Sequence, residues 1–424
     1  NVTTGIRNTL IGSRTGDAFT DADYNVALGY NALTSDTLGS TSTAIGYSAL
    51  EAQNFTSAEN SLNTAVGYLA GTAVTTGRQN VIVGAQTGDA LTTGELNVAV
   101  GQNSLSADTK GNRSTAIGNS ALRNQNFTNA TDSYNTAVGY AAGISVTTGV
   151  NNTLIGGLAG DANTTGAQNT AVGQGALSAN TTASNNTSVG YQSLLANTTG
   201  AQNTAVGRNA LDANTTASEN TAIGNSAMGN NTTGAENTAV GSASLFANTT
   251  GANNVAIGRD SLKANTTASN NTAIGYQAGT ALTTGDDNVA IGFEALKTED
   301  AHGRNVAVGY QSLKTLNAGA LAVTTTVGYK SGTSLTTGVQ NVLIGGLSGD
   351  ALTDADYNVA VGNNTLTTDT KGSKSTAIGY EALANQNFTS STDTFNTAVG
   401  YTAGLNITTG VSNTLIGALA GDAI

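Results

Sequence analysis

The chain has no cysteine, no proline and no tryptophan, a single histidine (His302), and charged side chains at only 10% of its 424 positions. Without cysteine there is neither a disulfide framework nor thiolate chemistry, which fits a secreted or virion protein held together by packing. With one histidine and no recurring carboxylate pair, the usual acid–base and metal-ligand vocabulary is nearly missing, so no enzyme and no cofactor is expected. The absence of proline suits strands whose backbone donors are all in use. No apolar run approaches the length of a membrane-spanning helix. Basic residues are also scarce: the net charge is −12, which disfavours a nucleic-acid partner, since such a partner wants a basic stripe. No secretory leader is recognisable. Asn1-Val2-Thr3-Thr4-Gly5 aligns in mid-repeat with Ser145-Val146-Thr147-Thr148-Gly149, and the chain is expected to be an excerpt of a longer polypeptide.

In place of that chemistry stands a repeat. From Asn169 the chain reads Asn-Thr-Ala-Val-Gly, then a stretch closing on Asn-Thr-Thr-Gly or Asn-Thr-Thr-Ala, and then the same again. Gly173, Gly190, Gly207, Gly224, Gly241, Gly258, Gly275 and Gly292 fall 17 residues apart. Extending this register to Gly12 and Gly417 gives 24 coils, and a fixed short period means one stacked unit rather than several globular domains. The spacings 17, 17, 21 and 17 recur over residues 12–84, 84–156 and 345–417, which are three copies of a 72-residue module. Residues 156–345 form a plain 17-residue array with one two-residue expansion between Gly309 and Gly328. Each four-residue expansion follows Gln-Asn-Phe-Thr (from Gln53, Gln125 and Gln386), which predicts a loop bulging from one side.

Positions within a coil are physically distinct. The residue before each anchor glycine is Val, Ile or Leu, which predicts an inward-facing strand position. The residue before that is nearly always Ala, with Leu10, Ile82, Leu154, Leu343 and Leu415 among the exceptions. Adjacent strand residues face opposite ways, so the pair predicts burial on both faces, with Val and Ile filling the coil and the Ala row meeting another copy of the chain. Four residues after the anchor stands Leu or Met (Leu177, Leu194, Met228) or a second Gly (Gly71, Gly143, Gly279). With Gly, an apolar residue usually follows three positions on (Val74, Val146, Leu282); with Leu, that position is usually Asn, Asp or Gln (Asn180, Asn197, Asp108). This reads as core volume held constant in two ways, from which Gly160 with Asn163, and Leu313 with Leu316, depart. Asn stands four residues before the anchor in 20 of 24 coils, predicting an asparagine ladder at the ~4.8 Å strand spacing. The Thr-Thr-Gly or Thr-Thr-Ala run supplies the turn.

Asn169-Thr170-Ala171-Val172-Gly173 and Asn271-Thr272-Ala273-Ile274-Gly275-Tyr276-Gln277-Ala278 resemble the arrays of phage tail-fibre and tail-fibre-domain surface proteins. They are also similar to the head repeats of trimeric autotransporter adhesins, whose period is shorter. The resemblance covers essentially the whole chain. It implies a parallel β-roll, a homotrimer, and an extracellular place on a cell surface or virion as a shaft or head.

Ten tyrosines directly follow an anchor glycine: Tyr30, Tyr47, Tyr68, Tyr140, Tyr191, Tyr276, Tyr310, Tyr329, Tyr380 and Tyr401. They predict partial aromatic stripes along one edge, which either fill corners between coils or stack against sugar rings of a glycan receptor. Asp21, Asp23, Asp354 and Asp356, with Asp17, Asp89, Asp161 and Asp350, offer carboxylates but lack the dense alternation of a calcium loop, so solvated turns are expected. Asn-X-Thr sequons such as Asn54-Phe55-Thr56 are by-products of the repeat. Glu299-Asp300-Ala301-His302-Gly303-Arg304 reads as a charged surface turn.

The expectation is an all-β parallel solenoid of about 24 coils, roughly 110–120 Å long at ~4.8 Å per coil, in a homotrimeric fibre. The expected function is that of an extracellular shaft projecting a binding tip. An adhesive module using the Tyr edge, a glycan-cleaving spike, and an ice-binding solenoid are the alternatives.

Overall fold

The computed structural model describes residues 2–422. It falls into two compact units, Asn1–Thr216 and Ala217–Ile424. Each is a parallel β-solenoid of 17-residue turns, and no helix occurs among the described residues. The first unit carries twelve three-residue strands from Thr9–Ile11 to Thr204–Val206, and the second carries twelve from Thr221–Ile223 to Thr414–Ile416. Within a unit each strand pairs in parallel with its equivalent one turn on. Thr170–Val172 sets Thr170, Ala171 and Val172 opposite Thr187, Ser188 and Val189.

The strand faces the other way from the sequence expectation. The central residue is the buried one: Ala27, Ala171 and Ala256 are all fully enclosed, while the Thr or Val before it and the Val or Ile after it lie on the outer surface. The Ala row therefore fills the coil, and the Val/Ile row faces outward. The reason is room: a short coil has a Leu entering from its far corner, as Leu177 does, so the strand opposite can contribute only a methyl group.

That trade also explains Gly160. Where the strand centre is Leu154, a side chain at either Gly143 or Gly160 would collide with the Leu154 methyls, at 2.6 and 2.7 Å. Leu154 thus supplies the apolar volume of its own turn, and Asn163 need not. The pair Leu313 and Leu316, both buried, remains without a structural account. Leu154→Ala should open a cavity costing about 2–5 kcal/mol. Adding Gly160→Leu recreates the pattern of Ala171, Leu177 and Asn180 and should recover more than half of the loss, because Gly160 already has the φ of +55° that Leu177 adopts. Urea melts of the single and double variants measure this directly.

Two asparagine ladders run through each core. In the expected one, the Asn169 backbone N–H donates to Asn152 Oδ1 (3.0 Å) and Asn169 Nδ2 to the Ala183 carbonyl (2.9 Å). The second was not foreseen. Asn180 Nδ2 donates to Asn163 Oδ1 at 2.9 Å and Asn197 Nδ2 to Asn180 Oδ1 at 3.0 Å, and in the second unit Asn265 Nδ2 donates to Asn248 Oδ1 at 2.9 Å. All are fully buried, where an unmade hydrogen bond would cost about 1–3 kcal/mol. The threonine of each turn joins in, as when Thr164 Oγ1 donates to the Thr181 carbonyl.

The lengthened turns are not free loops. Gln53, Gln125 and Gln386 are fully buried and Phe55, Phe127 and Phe388 nearly so, while the Asn between them and the residues that follow lie outside. Each expansion adds a two-residue parallel pair, Gly39–Ser40 with Glu59–Asn60, Gly111–Asn112 with Thr131–Asp132, and Gly372–Ser373 with Thr392–Asp393.

Candidate surface sites

The ten tyrosines form one row per unit along the corner just past the strand, and all are exposed, from 37% at Tyr276 to 65% at Tyr140. Where successive turns carry them, the rings stack. Tyr30, Tyr47 and Tyr68 lie 5.5 and 5.4 Å apart between centroids, and Tyr380 and Tyr401 lie 5.5 Å apart. Phe293, which the reading of tyrosines alone passed over, completes the run Tyr276, Phe293, Tyr310, Tyr329 at 5.2–5.5 Å. Arg259 lies over Tyr276 and Lys330 over Tyr329, so cations stand at the two ends of that run. Tyr140 and Tyr191 have no ring neighbour in the turns beside them. Tyr24, Tyr134 and Tyr357 lie on the opposite edge of the strand face; Arg7 and Arg113 cover the first two.

The acidic residues link turns instead of converging. Asp21 accepts from Thr4 Oγ1 (2.7 Å), Asp23 from the Ile6 N–H (2.7 Å), Asp356 from the Val339 N–H (2.8 Å) and Asp350 from Thr367 Oγ1 (2.6 Å). Asp161 takes the Ser178 hydroxyl, and Asp354 pairs with Lys371 at 3.6 Å.

Among the described residues, one group brings three ligand-type side chains together: Glu299, Asp300 and His302. It borders a shallow cavity of about 260 Å³ lined by Asp286, Asp287, His302, Arg304 and Leu321 among others. Glu299 is fully buried and already committed. Its Oε1 accepts the His302 backbone N–H (3.0 Å) and faces Nδ1 (3.3 Å), and Oε2 accepts the Ala318 N–H (3.2 Å).

Glu299 belongs to a set that sequence reasoning missed. Asp36, Asp108 and Asp369 occupy the same place, seven residues past an anchor glycine, and each stands in the turn before a lengthened one. Asp108 Oδ1 accepts the Gly111 and Phe127 N–H groups (3.0 and 3.1 Å) and Oδ2 accepts Gln125 Nε2 (2.7 Å). Gln125 reaches on to Ser114 Oγ and receives Asn135 Nδ2. A buried carboxylate thus pins the root of every expansion. The signal was present, since no other coil has an acid at that position.

Burial pushes the Asp36 and Asp108 carboxyls above the ordinary 3.8, against the pull of the Gln53 or Gln125 amide and the backbone donors. The native state then holds these protons more tightly than the unfolded chain. The stabilisation is complete below pH 3.8 and fades as pH rises through the raised value. Amide exchange over residues 127–135, corrected for intrinsic rates, should show greater protection near pH 4 than at pH 7, and Asp108→Asn should abolish the difference. Glu294 has the opposite sign. Lys297 (2.5 Å) and Lys314 (2.7 Å) hold it down to about 2, so its contribution is present above the ordinary 4.5 and is lost as pH falls towards 2.

No helix among the described residues is long and apolar enough to cross a membrane. Comparison of the chain with known protein families and with curated proteins finds no match to either.

Proposed function

We propose that this chain is the repetitive part of an extracellular fibre, of the tail-fibre or adhesin-head kind, in which three parallel copies close on one another through the outer strand face. The observation that carries the reading is the composition of that face. In all 24 strands the first residue is Thr or Val and the third is Val, Ile or Leu, with no charged residue in either row. Soluble monomers rarely leave an apolar patch of more than a few hundred Å² bare, and a face open to water usually alternates with charge. The count of three and the placement outside the cell both rest on the resemblance to trimeric β-roll heads and tail-fibre arrays. In this reading the body has a mechanical role: turns added in whole multiples lengthen the solenoid without altering its core, as the repeated modules do.

One further observation favours a second reading. The outward first-position threonines and third-position valines make a flat, regular, uncharged array, which suits contact with ice as well as with protein. The two readings differ in mass and in one activity: a trimer covers the array, whereas an ice binder presents it as a monomer and gives thermal hysteresis. Light scattering and a freezing-point measurement on the same sample separate them.

A further inference from the structure

We propose that the first unit carries a slot for one neutral pyranose ring of a glycan, walled by Tyr140 and Gln174 above Gly157. Within the stacked runs the ring faces are taken up by one another, leaving only the outer face of each end ring. The row is interrupted at Gly157. A Cβ built there meets nothing within 4 Å, and Gly157 lies outside the left-handed region, so the backbone does not require glycine. Other coils place Tyr, Phe, Gln, Asn, Arg, Ser or Ala at this position. The omission leaves one face of Tyr140 open, with exposed Leu158 beside the gap and the exposed Gln174 amide beyond it.

The same order recurs in the second unit, where Tyr329, Gly346, Asn363 and Tyr380 repeat Tyr140, Gly157, Gln174 and Tyr191. There Lys330 lies over the Tyr329 ring and Asn363 Nδ2 stands 2.9 Å from where a Gly346 Cβ would be, so the protein's own side chains occupy that gap and the open slot is that of the first unit.

Spacing selects the ligand class. The two walls are two strand separations apart, ~9.6 Å. A flat aromatic guest would need about 7 Å, at ~3.5 Å to each wall, and would fit loosely. A saturated six-membered ring, with hydrogens standing off both faces, fills the width at roughly 4–5 Å from each wall. Its C–H face suits the phenol ring, and its hydroxyls suit an amide that both donates and accepts. The net charge of −12 favours neutral hexoses and N-acetylhexosamines over anionic sugars.

The test is saturation-transfer NMR on the full chain with a panel of soluble neutral hexose and N-acetylhexosamine oligomers and sialylated controls. The slot predicts transfer from tyrosine ring protons to at least one neutral oligomer. Gly157→Tyr places a ring where ten coils already have one, and should weaken that binding at least tenfold with an unchanged melting curve. Tyr140→Ser should abolish the transfer. No transfer to any panel member, or undiminished transfer in the filled variant, overturns the proposal. Gly157→Tyr leaves the strand face untouched, so loss of binding is separable from any change in assembly.

Discussion

Light scattering on residues 1–424 should return about three times the 42.0 kDa of one chain, and lysines on the strand face should return it to one. Ile155 and Ile257 remain 38% and 37% exposed at the outer strand position, and their equivalents recur in every turn. Each turn leaves on the order of 100 Å² of Thr, Val and Ile surface here, so the twelve turns of one unit leave more than about 1,000 Å², well above the patch a monomer tolerates. Covering it contributes roughly 25 kcal/mol per chain and unit as an upper figure, more than the ~4–15 kcal/mol that association costs. Val172→Lys, Val189→Lys and Val206→Lys together, with Ile257→Lys, Ile274→Lys and Ile291→Lys, would bring charged rows into contact at the interface. The turn's own core is spared, because Ala171 and Ala256 point the other way. The expected result is a folded chain with single-chain mass. A wild-type mass near twice the chain would keep a covered face and overturn the count of three. A wild-type monomer would sink the interface and leave thermal hysteresis as the property to measure.

The period, the parallel pairing and the asparagine row were legible because each depends on recurrence, and recurrence survives without knowing which way a side chain points. Direction was not legible from hydrophobicity alone. Val172 is larger than Ala171 and reads as the core residue, yet Leu177 fills the interior from the far corner. The clue lay in a covariation between positions: Leu154, Leu343 and Ile82 each stand in a turn with glycine six residues on, at Gly160, Gly349 and Gly88. Only side chains that compete for one space would vary in that way. In the lengthened turns the outward bulge was legible, since Asn126 and Thr128 are exposed, but the anchoring of Gln125 and Phe127 inside was not, because the Asp108 carboxylate that holds them stands a full turn earlier. For the tyrosine row, the sequence gives its register, whereas the consumption of ring faces by stacking is a three-dimensional fact.

The glycines should separate into steep and flat classes under substitution, and the steepest loss should come from an anchor. At Gly173 φ is +140°, a region essentially closed to L side chains, which costs about 1–3 kcal/mol by itself. Independently, a Cβ there would lie 2.3 Å from the Gly190 carbonyl oxygen and 2.7 Å from its carbon, both backbone atoms of the next turn that no rotamer change can move. Those neighbours sit just past the end of the parallel ladder, so relief requires parting two turns and disturbing the pairing of Val172 with Val189. Gly173→Ala should therefore lose on the order of 4 kcal/mol or more, and it should raise amide exchange over the turns on either side. Gly157→Ala, with open space and no positive φ, should change stability by less than about 0.5 kcal/mol. Gly175→Asn should be neutral or slightly stabilising: φ is +66°, no atom lies within 3.4 Å, and Asn209 already holds this position two periods away at φ 53°. Denaturant melts of the three variants rank them. An Ala at Gly173 tolerated as well as one at Gly157 would mean that the turns do not approach as closely as the structure has them, and the explanation of the 17-residue glycine would fall.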